Sequence, residues 1–195
     1  GEVLSKNKLK QIRMAETEKY AHVTYFFNGG NENQFKNEDR ILISSPRVNT
    51  YDQKPEMSAF ELTENIKLQI KKDKYNFILV NYANPDMVGH TGVLSATIRA
   101  IESVDECLGK LHKAAEENEY LLIVTSDHGN ADCMIEDSGM PCTTHTTNPV
   151  PFILCTDEKI KLKKGCLADI APSILDIMNI DKPSEMEGDS LIEKK

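Results

Sequence analysis

The chain has 195 residues, with 23 Lys and Arg against 31 Asp and Glu, a net charge of -8, 39% hydrophobic residues and 28% charged ones. That balance describes a globular chain long enough to bury a core, and without a basic block or aromatic-basic interleaving it argues against nucleic acid as a partner. No apolar run approaches the roughly 18 residues of a membrane span, no signal-peptide core opens the chain, and the five cysteines (Cys107, Cys133, Cys142, Cys155, Cys166) form no C-x-x-C pair, a usage expected of reduced thiols in a cytoplasmic protein.

Residues 1–13 carry no start signal of their own and read as an arm or a linker from an upstream segment. In residues 16–30, β-branched and aromatic content argues for a strand. Tyr20, Val23 and Phe27 at helical spacing, Thr17 as an N-cap and the stop Asn28-Gly29-Gly30 argue for a helix, which is the reading adopted. Lys19 then lies in the first turn, where a cation opposes the helix dipole and invites an anion. Ile41-Leu42-Ile43 reads as a short strand, and residues 58–71 as a helix with Ser58 and Glu61 forming a capping box. Phe77 to Tyr82 is a buried strand that ends in a loop, residues 83–90, rich in groups able to bind metal.

From Leu94 to about Glu117, Ile98, Ile101, Val104, Leu108 and Leu111 keep helical spacing and predict a long crossover helix. The apolar run of residues 120–126 predicts a buried strand in a parallel sheet, stopping at Asp127-His128-Gly129. Residues 131–144 read as an irregular polar excursion, and Pro149 to Cys155 as a strand with prolines at its start. Residues 169–178 read as a helix with Pro172 in its first turn, and the tail from Asp181 as loose. Alternating strands and helices imply a doubly wound α/β layer.

Three strand-end loops carry metal-binding groups: Asp86 with His90, Asp127 with His128, and His145. The spacing Asp86-x-x-x-His90 puts both side chains on one face if the loop closes into a helical turn. Carboxylates with imidazoles suit manganese, zinc or magnesium-like ions, and five candidate ligands exceed one tetrahedral site, which points to two ions. Asp127-His128-Gly129 taken alone reads equally well as a polar strand end turning on its glycine. His22 and His112 read as ordinary hydrogen-bonded polar residues.

Ala15-Glu16-Thr17-Glu18-Lys19-Tyr20-Ala21-His22-Val23-Thr24, Tyr51-Asp52 with Pro55-Glu56-Met57-Ser58-Ala59, Asn84-x-Asp86-Met87-Val88-Gly89-His90, Asp127-His128-Gly129-Asn130 and His145-Thr146-Thr147-Asn148 together resemble cofactor-independent phosphoglycerate mutases. So does Leu167-Ala168-Asp169-Ile170-Ala171-Pro172. The resemblance runs from about Gln11 to about Leu191 and implies an α/β, alkaline-phosphatase-like fold, a mostly parallel sheet with helices on both faces. It implies Asp86, His90 and His145 as ligands of one manganese ion, and Asp127 and His128 as part of a second ion's shell. Magnesium, cobalt or zinc are alternative ions. It also implies Lys19 as a contact of the phosphoryl group, and interconversion of 3-phosphoglycerate and 2-phosphoglycerate through a phosphoserine.

The family's nucleophilic serine, in a Gly-Asn-Ser-x-x-Gly-His context, does not occur in these 195 residues. Nor does the inserted second domain with its substrate-gripping arginines. Residues 14–192 are therefore expected to be the C-terminal part of the phosphatase-like domain, incomplete at its N-terminal strand and inactive alone, of an enzyme that is monomeric when whole. Another phosphotransferase of the superfamily and a non-catalytic metal-binding module are the competing readings.

Overall fold

Residues 11–16 alternate Ile12 and Met14 with Gln11 and Arg13, and in the computed structural model, which describes residues 1–193, they form the middle strand of a sheet. This strand, β1 (Gln11–Glu16), is buried at every position. It lies parallel to β2 (Glu38–Ile43), with Gln11 opposite Glu38, and to β3 (Phe77–Asn81), with Gln11 opposite Phe77. The arm expected over residues 1–13 is thus a short helix, α1 (Glu2–Lys6), followed by the start of the central strand. Ile12 and Met14 enter a core with Ile43, Leu62, Ile66, Ile70, Tyr75 and Leu111. On the opposite face Arg13 is fully buried, its Nη2 donating to Gln11 Oε1. Its guanidinium carbon lies 4.2 Å from the centre of the Phe27 ring and 5.3 Å from that of Phe77.

The helix expected after β1 is a 3-10 turn, Thr17–Lys19, followed by a wider π turn, His22–Phe26. Thr17 is not its cap, because its Oγ1 accepts from the backbone N of Ser45 at 3.1 Å and so ties this turn to the end of β2. Gly29 and Gly30 stop the segment with φ of +65° and +84°, a conformation that L side chains rarely adopt. Helix α2 (Ala59–Lys71) starts after Ser58, but the expected capping box does not form. The Ser58 hydroxyl donates instead to the carbonyl of Ser44 at 2.7 Å.

The segment after β3, read as a loop, is the short helix α3 (Asn84–Gly89), and α4 runs from Leu94 to Glu117. The buried face of α4 consists of Ala96, Thr97, Ala100, Cys107, Leu111, Ala114 and Ala115, whereas Ile98 and Ile101 stay 50% and 43% exposed. Small residues occupy the side that packs on α2 and α3 because close helix approach leaves little room there. Of the five large apolar residues at helical spacing, Leu111 is buried, Val104 and Leu108 are half-buried, and Ile98 and Ile101 face outward.

Strand β4 (Leu122–Thr125) is partly exposed and pairs antiparallel with β5 (Phe152–Cys155), Leu122 opposite Cys155, in a separate two-stranded sheet. The expectation of a buried strand in a parallel sheet fails here. The connection between the two strands contains no helix, and parallel neighbours need a crossover that is usually helical, so the chain returns in the opposite sense.

These elements belong to one compact unit, Gly1–Cys155; a second comprises Thr156–Lys195. In the second unit α5 (Ile170–Ile177) follows a 3-10 turn, Leu167–Asp169, with Pro172 in its first turn as expected. The tail read as loose is tied down: Leu191 is 5% exposed, its N donates to Ser173 Oγ at 2.8 Å, and Ile192 bridges Leu162. No helix among the described residues is long and apolar enough to cross a membrane.

Candidate metal centre

β3 delivers the chain to α3, whose single turn puts Asp86 and His90 on one face at i and i+4. Asp86 Oδ1 lies 3.0 Å from His90 Nε2 and 3.0 Å from His145 Nε2, and the two Nε2 atoms are 3.1 Å apart. Ligand atoms about 2.1 Å from an ion and at right angles to one another are roughly 3.0 Å apart, so this triangle matches one face of an octahedral site. His90 Nδ1 is 2.7 Å from the carbonyl of Thr143, a contact that requires the proton on Nδ1 and leaves Nε2 with a free lone pair. The same contact holds the excursion bearing His145 against α3.

Lys19 is 4% exposed and its Nζ contacts Asp86 Oδ2 at 2.5 Å. The lysine expected to invite an anion thus faces a carboxylate of the cluster. Asn130, 5% exposed, donates from Nδ2 to Asp86 Oδ1 at 2.7 Å and to the Asp86 carbonyl at 3.3 Å. Burial pushes the Asp86 carboxyl upward, but hydrogen bonds from Lys19 and Asn130, with the nearby positive charge, hold it down at about 2. A carboxylate ionised under all ordinary conditions suits a metal ligand. The His128 ring stacks on that of His145 at 3.7 Å, while Asp127 Oδ1 meets His128 Nε2 at 3.6 Å. The structure therefore gathers Asp86, His90 and His145 at one point, with His128 against them and Asp127 beyond it.

A family model described as the metalloenzyme superfamily matches residues 1–182. The chain belongs to that superfamily. It is 57% identical, over 98% of its length, to the 2,3-bisphosphoglycerate-independent phosphoglycerate mutase of Antithamnion sp., and 55% identical, over 99%, to the enzyme of that name from Ehrlichia ruminantium strain Gardel. It spans 38% and 39% of the length of those relatives. A crystal structure of Leishmania mexicana phosphoglycerate mutase at low cobalt concentration superposes with a TM-score of 0.92 at 33% identity, covering 98% of this chain and 38% of that one. The alkaline-phosphatase-like α/β fold expected from the motifs is thus borne out for this superfamily member.

Two features of the centre escaped the sequence. Asn130 carried a signal only as the amide that follows Asp127-His128-Gly129. His22, read as an ordinary hydrogen-bonded residue, has a buried Nδ1 with no partner among the described residues. Burial lowers its pKa, Lys19 adds to that effect, and Asp127 and Asp86 oppose it, so His22 lies within the field of the cluster. Ser126 beside Asp127 gives its hydroxyl proton to the carbonyl of His128 at 2.6 Å, an arrangement that does not activate a nucleophile.

Proposed function

We propose that this chain is the metal-holding part of a 2,3-bisphosphoglycerate-independent phosphoglycerate mutase, which interconverts 3-phosphoglycerate and 2-phosphoglycerate through a phosphoserine in cytoplasmic glycolysis. The observation that carries this reading is the triangle of Asp86 Oδ1, His90 Nε2 and His145 Nε2 beside the buried ammonium of Lys19. The donor set of one hard carboxylate and two imidazoles fits manganese, and it would serve magnesium, cobalt or zinc as well. Asp86, His90 and His145 would hold one ion, and Asp127 and His128 would contribute to a second. When bound, such ions neutralise charge on phosphoryl oxygens and favour the ionised form of a hydroxyl nucleophile.

The chain's own residues bind and orient. Lys19, desolvated and fixed by Asp86, offers a cation to a phosphoryl oxygen where water screens it little. His90 is held in one tautomer by Thr143, and Asp86 in one orientation by Lys19 and Asn130. The nucleophilic serine, the arginines that grip the substrate and the ligands completing the second ion's shell would come from other segments of the same protein. The mutase names of the relatives and the 0.92 TM-score to a mutase structure support this assignment.

Calorimetric titration of the 195-residue chain with manganese tests it. One ion should bind with micromolar or better affinity, and His145→Ala should abolish the binding. Two equally tight sites, or unchanged binding in the variant, would contradict the assignment.

A further inference from the structure

Asn130 is almost fully buried, and its carboxamide makes two contacts to a single residue. Nδ2 donates to Asp86 Oδ1 at 2.7 Å and to the backbone carbonyl of Asp86 at 3.3 Å. A donor that bridges the side chain and main chain of one aspartate selects that aspartate's rotamer. The other carboxylate oxygen, Oδ2, is held by Lys19 at 2.5 Å. Asp86 is thereby gripped at both oxygens, by a charge at one and a neutral amide at the other. Oδ1 also faces His90 Nε2 and His145 Nε2, each at 3.0 Å.

Gly89 supplies an independent observation. Its φ is not positive, so its backbone does not require glycine. A Cβ built on Gly89 would lie 2.4 Å from Asn130 Oδ1 and 3.0 Å from Asn130 Cγ. The carboxamide thus occupies the space that any side chain at position 89 would need. Asn130 Oδ1 has no hydrogen-bond partner among the described residues. A buried amide oxygen left without a partner lowers stability, so a purely structural role does not explain the amide at this position.

We infer that Asn130 is a positioning residue of the metal centre: it locks Asp86 so that Oδ1 faces the two histidine Nε2 atoms, and Gly89 exists to admit its carboxamide. This rests on the assignment of Asp86, His90 and His145 as metal ligands. The amide must be neutral, because an aspartate at 130 would set a second carboxylate beside Asp86 Oδ1 and turn an attraction into a repulsion.

Cobalt titration of the full 195-residue chain, read by the visible absorption of the bound ion and by calorimetry, tests the inference. Asn130→Ala should weaken cobalt binding about 10- to 100-fold, as loss of a partner behind a ligand does elsewhere, and should change the cobalt spectrum. Gly89→Ala should do the same by displacing the amide. The double variant should be no worse than Asn130→Ala alone, because the three atoms nearest the new Cβ, all in the Asn130 carboxamide, are then gone. Thermal melts without metal separate a structural role, which would lower the melting temperature and leave the spectrum of the folded fraction unchanged. Asn130→Ala with unchanged affinity and spectrum, or additive losses in the double variant, would overturn the inference, provided His145→Ala still abolishes binding. If His145→Ala also binds normally, the ligand assignment itself fails and takes the inference with it.

Discussion

Asp86 gives one oxygen to Lys19 and the other to Asn130, His90 and His145, and its acid strength records this. Its folded pKa of about 2 lies below the ordinary 3.8. Depression of an acid means that the folded state favours the ionised form. The resulting stability is fully present above about pH 4 and is lost as pH falls through the folded value near 2. The shift corresponds to about 2 kcal/mol for a side chain that is only 13% exposed. Urea denaturation between pH 2 and 5 with a chelator present should show this loss, and Asp86→Asn should remove that part of the pH dependence. An identical pH profile in the variant would show that the Lys19 and Asn130 contacts do not favour the ionised carboxylate. The side chains at this point are the part of the centre most legible from sequence, since a carboxylate and a histidine four residues apart needed only one helical turn to converge. Asn130 was illegible because an amide acquires its meaning from the group it touches.

Among the elements, β1 was misread, and α4 was found while most of its buried face was not. β1 looked like an arm because Gln11, Arg13 and Glu16 interrupt its apolar residues, yet each finds partners inside: Arg13 against Gln11 and two phenylalanine rings, and Glu16 from Ser45 at 2.9 Å. A buried polar residue with partners is invisible to a hydrophobic pattern. α4 was delimited correctly, but most of its buried face is alanine and threonine, which give a weak periodic signal, while Ile98 and Ile101 of the apolar stripe face outward. Two substitutions separate these readings. Leu62→Ala in α2, at a fully buried position, should cost about 2–5 kcal/mol in chemical denaturation. Ile98→Ser in α4, at a half-exposed position, should change stability by about 0.5 kcal/mol or less. A loss at Ile98 equal to that at Leu62 would show that Ile98 is packed as tightly as the core.

For the molecule as a whole, β3 and β4 each pair on one side only among the described residues, and the chain spans under two-fifths of its relatives' length. We propose that a segment N-terminal to the matched region in the longer relatives has a counterpart that pairs along β4 and brings further ligands beside Asp127 and His128. Without it, an apolar strand presents open N–H and C=O groups, a template for another chain. The 195-residue chain should then scatter light increasingly with concentration, and the N-terminal segment supplied in trans should suppress that association. A monomer at every concentration, unaffected by the segment, would refute this placement.

What the amino-acid order determined unaided was local: the extents of α2 and α4, where Gly29 and Gly30 must break the chain, and which side chains bear metal chemistry. Those outcomes depend on neighbours within a turn or two, so a pattern in the chain suffices. What only the tertiary structure decided was the company each residue keeps. The sense of β4 against β5, the packing of Arg13 on Phe27 and Phe77, the pairing of Lys19 with Asp86 and the reach of Asn130 across to α3 join residues from 14 to 67 positions apart. Such contacts follow from how the layers close over one another, and no local preference encodes them.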